Sequence, residues 1–163
     1  MYKDITTEQL ERAVSNLLAH IENPTPELPG LVFTPSIESC DGPTHTVSFR
    51  YHTYPWMANY SGVVHGGMVA TLLDNSMGVT CRSIYGARRD TETPTVSLAI
   101  NYARPIPLNA DIVVRVRAVT TGATSTQMAA DIFLPEKPHS ALATAVGIFY
   151  TVNAVKAKLS DMV

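Results

Sequence analysis

The sequence predicts an α+β fold, with strands before and after one central apolar helix. Three patterns predict it. From Val64 to about Tyr85 the apolar residues run nearly all the way round a helical wheel, which marks a helix covered on several sides. Before it, Val47, Phe49 and Tyr51 alternate with Thr46, Ser48 and Arg50, the two-residue period of a half-buried strand. After it come the strand-like runs Thr95–Tyr102, Ile112–Thr120, Thr124–Leu134 and Leu142–Val152, joined by connections short enough to favour antiparallel neighbours in a meander.

The elements follow in order. Thr6 and Gln9 form a capping-box pair, and Leu10, Ala13, Val14, Leu17, Leu18 and Ile21 recur at helical spacing, so residues 7–22 read as an amphipathic helix. Asn23-Pro24-Thr25-Pro26 and Pro29-Gly30 end it. Residues 31–39 make a weak strand that Pro35 interrupts, and Asp41-Gly42-Pro43 turns the chain into the alternating strand. Gly86 is the stop signal of the central helix, with Arg88 and Arg89 just beyond. Asn109-Ala110-Asp111, Thr121-Gly122 and Pro135-Glu136-Lys137-Pro138 separate the later strands. No repeat or linker divides the chain. Residues 1–163 are expected to form one domain, with an N-terminal helix and loop over 1–30, a core over 31–152 and a loose tail over 153–163.

A chain of 163 residues can bury a sizeable single core. Only 16% of its residues are charged, which leaves surface for a partner to cover, and a homo-oligomer is expected. A net charge of −2 argues against a general nucleic-acid binder or a polybasic membrane protein. Cys40 and Cys81 are the only cysteines and form no C-x-x-C, so neither a disulfide framework nor a zinc ribbon is supported. His20, His45, His52 and His139 show no metal-ligand spacing, and no metal is expected. The polar N-terminus and the lack of a bilayer-length apolar run lead to the expectation of a soluble, cytoplasmic protein.

Asp74 carries the chemical signal. It lies among Leu72, Leu73 and Met77, so its carboxylate is expected to be at least partly buried, a costly placement without a partner or a task. Nine residues before it stands His65, followed by Gly66 and Gly67 at the start of the central helix. The paired glycines let a ligand approach the backbone, and first-turn amides carry partial positive charge that can hold a developing oxyanion. A facing carboxylate can attack a carbonyl or activate a water. With no Ser or Cys nucleophile nearby, the combination points to hydrolysis of an already activated acyl group, a thioester rather than an amide. Eight residues of helix separate Gly66 from Asp74 by about 12 Å along the axis, too far for one small reacting group. Two antiparallel copies of the helix about a two-fold axis would bring Gly66 of one beside Asp74 of the other, so a site shared across a homodimer is expected.

The run Asn59-x-x-Gly62-x-x-His65-Gly66-Gly67-x6-Asp74 resembles the hotdog-fold acyl-coenzyme A thioesterases of the PaaI type, and Thr95 to Tyr102 followed by Ala103-Arg104-Pro105 resembles that family's next strand. The similarity spans roughly residues 45–152. It implies an antiparallel sheet wrapped around one long central helix, here with an extra N-terminal helix. It also implies acyl-coenzyme A hydrolysis in a dimer or dimer of dimers, with no cofactor beyond the coenzyme A of the substrate. Asp74 would be nucleophile or general base. The Gly66 amide would polarise the thioester carbonyl, Asn59 would orient the carbonyl or the lytic water, and His65 would support Asn59 and its loop. Thr95 falls where relatives often carry a Ser or Thr that helps position the water or the aspartate. Gly67, Arg104 and Trp56 are candidate substrate contacts, Trp56 as part of a bulky segment, Tyr54 to Met57, that could line the acyl pocket. The chain departs from the family at Ser97 and Ala99, where relatives often have Asp and Asn, and its first 30 residues are not clearly shared.

Plainer readings stand beside these. Asp74 could be a structural carboxylate, His65 a hydrogen-bonded histidine at a helix start, Gly66-Gly67 a tight packing contact and Thr95 an ordinary strand threonine. Cys81 reads as structural, and Arg82, Arg88 and Arg89 as charge at the helix C-terminal end. Two other functions share the fold: a hydratase or dehydratase, and an acyl-coenzyme A binding module without turnover.

Overall fold

The computed structural model describes residues 5–22, 35–85 and 91–153. Helix α1 spans Thr7–Glu22, and its start carries the capping box: Thr6 N–H donates to Gln9 Oε1 at 2.9 Å, and Gln9 N–H to Thr6 Oγ1 at 3.2 Å. Leu10, Val14 and Leu18 form its buried stripe, which lies against α2 (Gly66–Ile84) and β1 (Ser36–Asp41). β1 begins directly after Pro35, whose missing N–H keeps it outside the ladder. The strands that follow are β2 (Thr46–His52), the short β3 (Thr91–Glu92), β4 (Thr95–Tyr102), β5 (Asp111–Thr121), β6 (Ser125–Phe133), β7 (Ala143–Tyr150) and the short β8 (Val152–Asn153).

The main sheet is antiparallel, in the order β1-β2-β5-β6-β7-β4, and α2 packs across one face of it. Alternation sends one row from each strand to the helix: Val47, Phe49 and Tyr51; Ile112, Val114 and Val116; Met128, Ala130 and Ile132; Ala143, Ala145 and Phe149. They bury Val69, Leu72, Leu73, Met77 and Cys81 of α2. This is the hotdog architecture, a sheet around one long helix, with α1 added.

Two expectations about strand order change. The meander holds for β5, β6 and β7, but β4 is no neighbour of β5; it crosses to the far edge and pairs with β7, while β5 pairs with β2. The connection of residues 103–110 is long enough to carry the chain across the end of α2, and Val64 N–H bonds Ile106 O on the way. The run predicted as Leu142–Val152 breaks at Thr151, and its end forms a separate pair, β8 with β3. The Gly86 stop, Arg88, Arg89, residues 31–34 and the tail from 154 onward lie outside the described residues, while Asn153, placed in the loose tail by the sequence, ends β8. Among the described residues no helix is long and apolar enough to cross a membrane.

Burying a helix this thoroughly requires its polar side chains to be satisfied locally. Thr80 Oγ1 donates to Ser76 O and Ser83 Oγ to Val79 O, each at 2.8 Å, one turn back along the helix. The Ser76 hydroxyl meets Tyr51 of β2 at 2.9 Å, and burial pushes the Tyr51 phenol up to about 12. Replacing Tyr51 with Phe should leave the Ser76 hydroxyl alone in the core and lower stability by about 1–2 kcal/mol, read as a reduced urea midpoint at unchanged m-value. An unchanged midpoint would mean that this pair contributes nothing to holding α2 on the sheet.

Candidate active site

The start of α2 is built by the loop before it. A short 3-10 turn at Pro55–Met57 presents the Met57 carbonyl, which accepts the His65 N–H at 2.8 Å. Between them Asn59 folds the loop on itself: its Oδ1 accepts the Ser61 N–H at 2.8 Å and the Val63 N–H at 3.4 Å, and Gly62 takes a φ of 76°, the left-handed region glycine reaches without strain. Asn59 is therefore half-buried and held by its own loop, whereas His65 spends Nδ1 elsewhere. His65 is the N-cap, with extended backbone, and its Nδ1 accepts the Gly67 N–H at 2.9 Å. A ring that accepts at Nδ1 carries its proton on Nε2.

A census of the helix-start amides then singles out one group. His65 N–H goes to Met57 O, Gly67 N–H to His65 Nδ1, and Met68 N–H to His65 O at 2.9 Å. The Gly66 N–H has no acceptor among the described residues, and it lies at the positive end of a 19-residue helix.

Asp74 sits two turns along α2 and is half-buried, whereas its neighbours Leu72, Leu73 and Met77 are fully buried. Thr95 Oγ1 donates to its Oδ1 at 2.7 Å. An ionised carboxylate only accepts, so this bond fixes one oxygen and leaves the other for a substrate or water. Thr95 reaches Asp74 through a bulge in β4. Tyr102, Ile100 and Leu98 pair with Ala143, Ala145 and Gly147 on the helix face, and strict alternation would send Thr95 to the other face. The register shifts between Thr95 and Ser97, so Thr95 pairs with Phe149, which also faces the helix, and Val96 is the extra residue.

The remaining candidates scatter. Gly67 is committed to His65, and a Cβ there would come within 3.0 Å of His65 Nδ1. Arg104 is exposed and tied to the β6–β7 connection through Ser140 Oγ and Ala141 O. Trp56 is 51% exposed and stacks on Tyr54, whose ring meets His52 edge-on at 4.9 Å. Burial pushes the Cys81 thiol up to about 11, an inert structural cysteine. Arg82 pairs with Glu92 at 3.4 Å. A residue the motif does not contain joins the site: the Tyr102 hydroxyl donates to Gly66 O at 3.2 Å. The available signal was its parity with Leu98 and Ile100, which sets its ring on the helix side.

The site thus has two halves at opposite ends of β4, Thr95 with Asp74 and Tyr102 with Gly66. His65→Ala should remove the cap and cost about 1 kcal/mol in the urea midpoint, and His65→Asn should recover most of it. Equal midpoints for the two variants would mean that the cap does not stabilise the helix start.

Residues 61–138 match the thioesterase superfamily, a segment that contains His65, Gly66, Gly67, Asp74 and Thr95 and begins two residues after Asn59. No curated protein matches the chain. Among solved structures, a conserved protein of Pseudomonas aeruginosa shares 25% identity over 66% of this chain and 82% of its own, with a TM-score of 0.59. The PaaI protein of E. coli, from a phenylacetic acid degradation operon, superposes over 89% of this chain and 96% of its own, with a TM-score of 0.70 at 17% identity. A hypothetical thioesterase of Streptococcus pneumoniae, solved with coenzyme A, covers 73% of this chain and 89% of its own, with a TM-score of 0.62 at 22% identity. The segment that carries both halves of the candidate site thus matches the thioesterase superfamily, and the chain shares the hotdog fold of PaaI.

Proposed function

We propose that this protein hydrolyses acyl-coenzyme A thioesters to the free acid and coenzyme A, in a site shared between two copies of the chain. The carrying observation is the pairing of a carboxylate with one free oxygen, Asp74 held by Thr95, with a single uncommitted helix-start amide, Gly66. The Gly66 N–H donates to the developing oxyanion of the thioester carbonyl. Asp74 either takes a proton from the water that attacks the carbonyl, or attacks it directly and forms an anhydride that water then hydrolyses; in both cases the C–S bond breaks and the sulfur leaves as thiolate. A thiolate is a good leaving group, so no strong acid is needed to protonate it. Asn59 and His65 shape the loop and the cap on which the amide depends. Coenzyme A enters as part of the substrate, and the structure of the pneumococcal protein with coenzyme A supports an acyl-coenzyme A ligand.

The sharing follows from β4. Its outer edge has no strand beside it among the described residues, and Val96 and Tyr102 stand 51% and 56% exposed on it. An open edge is a template for another strand. Antiparallel pairing with a second copy about an axis between Leu98 and Ala99 sets Thr95 of one copy against Tyr102 of the other. Asp74 of the first copy then comes beside Gly66 of the second, which closes the gap of about 12 Å along one helix. Arg104, Gly67 and Trp56 are the proposed contacts of the rest of the substrate.

Free-thiol release from a panel of aryl-, short-, medium- and long-chain acyl-coenzyme A substrates tests the reaction. Turnover is expected, falling by at least about 100-fold in Asp74→Ala and Asp74→Asn. No turnover despite tight acyl-coenzyme A binding would favour the binding module, and hydration of an enoyl-coenzyme A without thiol release the hydratase. Hybrid dimers of Asn59→Ala and Asp74→Ala chains should regain part of the activity, since one of the two sites is then intact. No recovery after confirmed subunit exchange would place the whole site in one chain.

A further inference from the structure

The Gly66 amide can stabilise an oxyanion only if its direction is fixed before the substrate arrives, and a Gly-Gly pair is the most pliable backbone a chain can offer. An N–H lies in the peptide plane before its residue, and the two backbone torsions of Gly66 couple that plane to the one after it. The plane before Gly66 is held through His65 O, which accepts from Met68 N–H at 2.9 Å and Val69 N–H at 3.1 Å. The plane after it, between Gly66 and Gly67, is held at both polar atoms by side chains: Gly67 N–H by His65 Nδ1 at 2.9 Å, and Gly66 O by the Tyr102 hydroxyl at 3.2 Å. Tyr102 also covers the flank of Gly66, with two ring carbons 3.5 and 3.6 Å and the hydroxyl 3.7 Å from where a Cβ would stand.

We infer that Tyr102 is a positioning residue for the thioester hydrolysis proposed above, and that its hydroxyl and ring hold the Gly66–Gly67 peptide and the flank of Gly66, which restricts the Gly66 torsions and so keeps the Gly66 N–H aimed at the carbonyl oxygen of the substrate. The inference rests on that reading of the reaction. Tyr102 acts through Gly66 rather than on the substrate, because a phenol has one hydrogen to donate and this one is committed to Gly66 O. Its place at the end of β4 makes the aim of the oxyanion donor depend on the same strand whose other end, through Thr95, holds Asp74. Both reacting halves are thereby set by one strand.

Tyr102→Phe keeps the ring and removes the hydroxyl. In the wild-type background the fastest substrate of the acyl-coenzyme A panel should lose about five- to tenfold in kcat with KM within about twofold, the pattern of a contact that matters only in the transition state. The Gly67 amide, followed by hydrogen exchange without substrate, should exchange about fivefold faster in the same variant, while the thermal midpoint and oligomeric state stay those of wild type. Full kcat in Tyr102→Phe would overturn the assignment, and so would a loss confined to KM, which would make Tyr102 a substrate contact. If the wild-type chain releases no thiol from any member of the panel, the hydrolysis reading fails by itself. The exchange of the Gly67 amide then still decides whether Tyr102 holds the glycine peptide, and unchanged exchange would overturn it.

Discussion

Helix α2 must be dry along one side and open along another, and the rest of the fold answers that demand. Val69, Leu72, Leu73, Met77 and Cys81 are taken by the sheet and α1, so hydrophobic burial holds the helix in place along its length. The row one turn apart, Gly66, Ala70, Asp74, Gly78 and Arg82, stays half-exposed. Beside that row runs the chain from Glu92 to Tyr102, in the opposite direction, and it touches the row in order: Glu92 at Arg82, Thr93 at Gly78, Thr95 at Asp74, Tyr102 at Gly66. A helix wholly enclosed by its own sheet would have no face on which a substrate could lie.

The segment beside the helix does this because it is a sheet edge with a fault in it. A regular β4 would deliver either Thr95 or Tyr102 to the helix side, since they are seven residues apart and alternate faces. The bulge at Val96 delivers both. It also leaves Val96 at the surface of an edge strand that pairs on one side only. The two shallow hollows at the outer face of the sheet, one near Arg115 and Phe133 and the other near Arg50, His52 and Asp111, are not lined by Asp74 or Gly66. Within them Arg115 pairs with Asp131 and lies over the Phe133 ring, and Arg50 and His52 pair with Asp111.

At the helix start, structure and chemistry draw on the same groups. A helix start leaves several amides to be satisfied. Here a histidine side chain, a loop carbonyl and the His65 carbonyl take all of them but one. The cap that stabilises the helix thereby also defines which donor is left over. That economy explains why a His rather than a Ser or Asp can stand at the N-cap without adding a negative charge or a second donor beside the amide.

Local signals were strong enough for much of this to be legible in the chain alone. The capping box at Thr6 and Gln9, the alternation of β2, the length of α2 and the limits of β4 are short-range patterns, and each corresponds to an observed element. So does the hotdog fold, which the resemblance carried by the run from Asn59 to Asp74 implied. The destination of β4 was not legible, because connection length says which strands can be neighbours and not which edge has room. Nor were the partners of the motif. Nothing in the order of residues says that His65 caps Gly67, or that Tyr102 reaches Gly66 across 36 positions. The sequence by itself determined the elements and the chemical groups, since periodicity and side-chain type are properties of neighbouring residues. Which groups meet was decided only by the tertiary structure, because a single bulge residue reverses the face of everything before it, and its energy is set by packing between strands distant in the chain.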